Sequence, residues 1–243
     1  MKKSFLNWSG GKDALFALHT LKNQKDFSIE KLLTTFNSEN QRVNMHGLPL
    51  ELIEQQAESL DLSLEPIFLK PNIPLEEYNL MMNQHLDKFK KQGFTHSVFG
   101  DILLADLKKY RETQLQKIGM KAVFPLWGRN TLELIQEFIE AGYKAMVVVV
   151  NNQVLDESFC GRIIDEDFIK DLPAEVDPCG ENGEFHTFVF DGPLFKNPVL
   201  FKKGKLVYKK YQPSNKKKND QSDCYKEPNN WDTQFTFLDL KPK

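Results

Sequence analysis

The chain has 243 residues, 40% of them hydrophobic and 27% charged, with 32 Lys+Arg against 34 Asp+Glu for a net charge of −2. That length makes one large domain or two modest ones and needs neither disulfide nor metal to fold. The charge balance excludes a strongly basic nucleic-acid coat protein and a highly charged disordered chain.

The first 120 residues alternate strand and helix. A short buried strand is expected over 5–8, followed by two glycines and a helix over 13–21 with Ala14, Leu15, Leu18 and Leu21 at helical spacing. Further strands are expected over 32–36, 64–69, 97–99 and 122–124, with helices over 50–60, 75–91 and 105–118 between them. This alternation predicts a parallel sheet covered by helices on both faces, with ligands bound beyond the carboxyl ends of its strands. After Pro125-Leu126-Trp127 the pattern changes to a helix over 132–141, a strand over 145–150 and a polar, carboxylate-rich stretch to Pro178. Strands then dominate, over 185–190, 198–201 and, after a turn at Gly204, 206–211. A polar loop over 213–230 carrying Lys216, Lys217 and Lys218 reads as solvated and disordered. A last strand over 231–237 is expected to pair with the preceding hairpin. The organisation read from this is a nucleotide-binding domain over 1–125 and an α+β substrate domain over 126–243.

Mean hydropathy is −0.48, and the longest apolar run, 145–150, is strand-sized, which excludes a spanning helix. Cys160, Cys179 and Cys224 are far apart and form no CxxC pair, which argues against a disulfide framework or a zinc ribbon. The N-terminal apolar stretch stops at Ser9, too short for a signal peptide, so a cytoplasmic location is expected.

The strongest local signal is Ser9-Gly10-Gly11-Lys12-Asp13, between a strand and a helix. Glycines allow a tight turn and close approach to a bulky anion, and the free N–H groups at a helix start face it. Lys12 adds a point charge and Ser9 a hydroxyl. It is not a Walker A loop, which has Gly six residues before the Lys and Ser or Thr after it; Leu6 and Asp13 stand there.

This loop resembles the SGGKDS signature of the PP-loop ATP pyrophosphatases, with Ala14 where that family usually has Ser. Other blocks resemble one branch, the diphthine–ammonia ligase family. They are Arg42-Val43-Asn44-Met45-His46-Gly47; Gly100-Asp101-Ile102 with Asp106, Tyr110, Arg111 and Glu112; Pro125-Leu126-Trp127-Gly128; Asp156 through Gly161-Arg162; and Gly180-Glu181-Asn182-Gly183-Glu184-Phe185-His186-Thr187 with Asp191-Gly192-Pro193-Leu194-Phe195. They occur in the family's order across most of 5–200, with one departure, Phe185-His186-Thr187 for its Tyr-Glu-Thr.

The resemblance implies a HUP-type α/β domain followed by a smaller α+β domain, and ATP-dependent amide formation. ATP would bind at Ser9, Gly10, Gly11, Lys12, Asp13, Asn37, Ser38, Gly100 and Asp101, with Mg2+ at Asp13. A carboxylate would attack the α-phosphorus, releasing pyrophosphate, and ammonia held near Glu181, Glu184 or His186 would attack the acyl-adenylate. Arg42, His46, Asp106, Tyr110, Arg111, Gly161 and Arg162 are the expected substrate contacts, and Lys12, Glu181, Glu184 and His186 the catalytic set. The acceptor implied is diphthine on translation elongation factor 2, though the change at His186 leaves room for another carboxylate. No membrane or nucleic-acid partner is expected, and a homodimer stays open. Two alternatives remain: a nucleotide-binding regulator without turnover, which Ala14 favours, and a PP-loop tRNA-modifying enzyme, which would want a cysteine pair or a basic extension.

Overall fold

The structure is a computed structural model that describes residues 1–211 and 233–243. The expected polar loop over 213–230, Cys224 and the start of the last strand at Trp231 lie outside the described residues.

The first half alternates as its pattern predicts: β1 (Lys2–Asn7), α1 (Lys12–Gln24), β2 (Phe27–Asn37), α2 (Leu50–Ser59), β3 (Ser63–Leu69), α3 (Leu75–Lys91), β4 (His96–Val98), α4 (Ala105–Lys117) and β5 (Lys121–Val123). The strands form one sheet in the order β3-β2-β1-β4-β5, every pair parallel. The order reverses direction beside β1, so the crevice after β1 and β4 is the ligand position of a doubly wound sheet. This is the expected α/β architecture, a parallel sheet of the Rossmann-like kind.

The second half contains α5 (Thr131–Glu140), β6 (Lys144–Asn151), a 3-10 turn (Glu157–Phe159), α6 (Glu166–Asp171), β7 (Phe185–Asp191), β8 (Phe201–Tyr211) and β9 (Thr233–Pro242). Its four strands form an antiparallel sheet in the order β7-β6-β9-β8. One apolar cluster joins Leu15 and Leu18 of α1 and Leu52 and Ile53 of α2 to Val147 and Val149 of β6 and Phe188 of β7. A second fills the other face of the parallel sheet, where Phe5 and Leu33 meet Leu86, Phe89 and Leu115 from α3 and α4. α1 therefore lies between the two sheets, which explains why Phe16 and Ala17 are buried along with its expected apolar face.

The sequence reading needs correction at two places. The two strands expected around a turn at Gly204 are one strand, β8, with a bulge between Lys203 and Leu206 opposite β9. Glycine inside an edge strand marks a bulge as readily as a turn, and here a Cβ would come within 2.8 Å of the Asp239 carbonyl oxygen. The polar stretch to Pro178, to which no element was assigned, contains the 3-10 turn and α6. No described helix is long and apolar enough to cross a membrane.

Candidate functional site

The loop between β1 and α1 sits at the carboxyl edge of the parallel sheet, as its position in the chain requires. Gly10 adopts φ +84°, and a Cβ there would come within 2.7 Å of Ile53 and Leu48. The loop is also braced from the second sheet. The Val189 N–H donates to the Gly10 carbonyl (2.9 Å), and the Lys12 N–H donates to Thr187 Oγ1 (3.0 Å). Gln56, fully buried on α2, donates through Nε2 to the carbonyls of Gly10 (3.0 Å) and Val189 (2.6 Å) and accepts from Trp8 Nε1 (2.9 Å).

The Lys12 side chain is buried, and its ammonium donates to the Asp13 carboxylate (2.8 and 3.0 Å) and to the Cys179 carbonyl. Burial alone would depress this ammonium, but the Asp13 carboxylate beside it and Glu181 farther off hold its pKa above the ordinary lysine value. Gly100, just after β4, lies flat against the start of α1. A Cβ there would meet the Asp13 carbonyl carbon at 2.7 Å and the Ala14 nitrogen at 2.8 Å. Asp101 pairs with Arg111 (2.6 Å), whose guanidinium lies 4.3 Å from the Phe99 ring centre. Burial pushes the Asp101 carboxyl up in spite of Arg111, and Asp13 adds to the rise.

The glycine-rich block before β7 closes over this edge. Glu181 accepts from the N–H groups of Ile102 and Leu103, both at 3.2 Å. Burial, and next the charge of Asp13, push its carboxyl up to about 7, against the pull of Lys12 and those two N–H groups. Glu184 differs although it stands three residues away. It accepts from the Asp177 N–H (3.0 Å), the Asn182 N–H (2.9 Å) and Asn182 Nδ2 (2.9 Å), so it ties its own loop together. Burial pushes the Cys179 thiol up to about 12, which keeps it protonated. A cavity of about 10 Å³ lined by Lys12, Asp13, Ile102 and Cys179 adjoins the loop. The larger groove, about 570 Å³ along α1 and α5, holds none of the residues singled out in the sequence.

The remaining expected residues divide. His46 and His186 meet each other, ring centres 4.7 Å apart. Asn37 and Ser38 stand at the same sheet edge, where Asn37 Oδ1 caps the turn by accepting from Glu39 N–H (2.9 Å) and the Ser38 N–H donates to the Leu69 carbonyl. Arg42 bonds Asp239 and the Gly47 carbonyl, both at 2.6 Å. Tyr110 donates to Asn79 (2.6 Å) and Asp106 is exposed on α4. Gly161 and Arg162 form a turn against Val147, and Arg162 pairs with Asp171 (2.8 Å), so their bonds stay within the second half.

Cys179, through its carbonyl, and Thr187 and Gln56 also build the site, although none was among the expected site residues. The signal for Gln56 was a polar residue on an otherwise apolar helix face.

Residues 1–122 match the family described as Diphthamide synthase N-terminal domain, and residues 130–218 that described as Diphthamide synthase C-terminal domain. The chain is 31% identical over 111 residues to a protein of Homo sapiens named "Diphthine--ammonia ligase", covering 43% of this chain and 42% of that one. Proteins of the same name from Danio rerio (28% over 123 residues, 48% of each chain) and Schizosaccharomyces pombe (29% over 111 residues, 42% of this chain and 18% of that one) are also similar. The matched region thus spans less than half the length of these relatives. A solved structure titled "U34-tRNA thiolase NcsA from Methanococcus maripaludis with its [4Fe-4S] cluster" overlaps 58% of this chain and 57% of that one, at 18% identity and a TM-score of 0.36.

Proposed function

Since the chain belongs to the diphthamide synthase family, we propose that it is an ATP-dependent amide ligase, adenylating a carboxylate and passing ammonia to the acyl group. The observation that carries this reading is the convergence of the loop 9–13, Gly100 and Glu181 at one edge of the parallel sheet. Residues 1–125 serve as the nucleotide-binding unit and 126–243 as the acceptor unit.

A carboxylate oxygen attacks the α-phosphorus of ATP, and pyrophosphate leaves. The Lys12 ammonium and the N–H groups of the first turn of α1 other than that of Lys12, which donates to Thr187, face the charge that develops. Ammonia then adds to the acyl carbon and AMP leaves. The nitrogen gives up one proton, and Glu181, with a carboxyl at about 7, is matched to accept it near neutral pH. Asp13 and Glu181 crowd negative charge at the loop, which suits a hard, oxygen-preferring cation. Asp13 would hold magnesium, whose charge offsets that of the polyphosphate. Asp101 and Arg111 border the same edge and are suited to orient the nucleotide or the acceptor.

By family, the acceptor is diphthine on translation elongation factor 2, in the cytoplasm. Ala14, buried at the loop, supports a second reading, a nucleotide sensor without turnover. The test is pyrophosphate and AMP release with ATP, ammonium and a panel of carboxylates including that acceptor. Lys12→Ala abolishes both products while the thermal transition remains cooperative. Tight ATP binding with no AMP from any acceptor selects the sensor, and undiminished activity in Lys12→Ala refutes the loop assignment.

A further inference from the structure

Residues 42–49 form a small hairpin, closed by the bridge Arg42 to Pro49 and by the Val43 N–H donating to the Leu48 carbonyl (2.8 Å), and tied to β2 by the bridge Phe36 to Val43. Its tip leans on the second sheet. Arg42 binds Asp239 of β9 and the Gly47 carbonyl, and Gly47 lies against the Phe237 ring. This strap delivers His46 onto His186 of β7, with the rings tilted by 33°.

The pair stands on the phosphate loop. His46 Nε2 is 3.0 Å from the point where a Cβ on Gly11 would sit, and the residue after His186 is Thr187, which accepts from the Lys12 N–H. Among the described residues, His46 Nδ1 and His186 Nε2 are shut off from solvent and make no well-formed hydrogen bond, although the Asn44 backbone lies close to the His46 ring. Two orphaned polar atoms at one contact are a poor packing solution, since each carries a desolvation cost. Both are relieved if the rings turn to donate to an anion.

We propose that His46 and His186 are paired imidazole ligands of the nucleotide's polyphosphate, and that the pair gains a proton as the anion arrives. The proposal rests on the nucleotide reading of the loop. Lys12 is the cation facing both rings, each ring faces the other, and Arg42 on the hairpin is neutralised by Asp239. Asp13 and Glu181 also face Lys12. Burial, with Lys12 nearby, pushes His186 down to about 4; burial, then His186, holds His46 well below the usual histidine range. In the free protein the pair is therefore uncharged. A second cation is repelled by Lys12, whereas a polyphosphate supplies the negative charge that favours an imidazolium.

The test is calorimetric titration with the α,β-methylene analogue of ATP, under saturating magnesium at pH 6.5, in two buffers of unlike ionisation enthalpy. Wild-type protein takes up roughly one proton per nucleotide. His46→Gln and His186→Gln each bind roughly tenfold or more weakly, and the double variant loses the buffer dependence. Proton uptake by the wild type needs no variant, so it stands even if a substitution fails to fold. Nucleotide binding by the wild type without proton uptake, or with affinity unchanged in both variants, overturns the pairing alone. No binding by the wild type overturns the nucleotide reading and the pairing with it.

Discussion

Glu181→Gln separates stability from chemistry at one atom pair. The substitution keeps an oxygen to accept from Ile102 and Leu103 and removes the charge. In the folded protein burial and Asp13 raise this carboxyl from 4.5 to about 7, so the folded state holds a proton that the unfolded chain has already released. Its contribution to stability is complete below about 4.5 and is lost as pH rises through 7. The full displacement corresponds to about 3 kcal/mol. Glu181 keeps some contact with solvent, and screening reduces the expected difference to about 1–2 kcal/mol. At this length each kcal/mol moves the melting temperature by about 2–4 °C. Thermal melts of both proteins at pH 4.5 and pH 8.5 are the assay. Little difference is expected at the lower pH, and a gain of several degrees for Glu181→Gln at the higher. In the amidation assay the wild-type rate rises with pH up to about 7, and Glu181→Gln is slower by roughly 10²–10⁴ and lacks that inflection. A variant no more stable than wild type at pH 8.5 refutes the electrostatic argument, and full activity refutes the proton-acceptor role.

Glu184→Gln has the opposite sign. Its amide nitrogen would face backbone or side-chain donors from Asp177 or Asn182, so the melting temperature falls at neutral pH by the equivalent of about 1–3 kcal/mol, and turnover falls more than ATP affinity. An unshifted melt shows that the loop does not depend on this carboxylate. Gly100→Ala forces a methyl into the backbone of Asp13 and Ala14, costing about 1–3 kcal/mol, and weakens ATP binding measured by titration. Gly142→Ala, at φ +82° with open space around it, carries backbone strain alone and leaves ATP affinity intact, so equal affinity losses in the two variants would contradict the close-packing argument.

The parallel sheet was legible because strands alternate with helices whose apolar faces show in the spacing: Leu15 and Leu18 on α1 and Leu52 and Ile53 on α2 read directly as core. α6 was not, because six residues capped by Asp165 and anchored by Phe168 show no repeat to read. The loop 9–13 was legible as chemistry, since its residue types make sense locally. What braces it was not. Cys179, Thr187 and Val189 lie more than 160 residues from Gly10 and Lys12 and contribute mainly backbone groups or a hydroxyl, which leave no mark on composition or spacing. The two glutamates of the block before β7 look equivalent in the chain. Only the partners of each carboxylate show that Glu181 faces Asp13 while Glu184 faces its own loop.

Gln56 sets a limit on how this chain can be divided. Its amide joins the carbonyls of Gly10 and Val189, and the Val189 N–H closes the same ring of bonds. A fragment ending near residue 126 would keep the loop's residues yet strip Gln56 of its second acceptor and Lys12 of Thr187 and Cys179. The front half of this chain therefore keeps these bonds only with a strand placed as β7 is beside its loop.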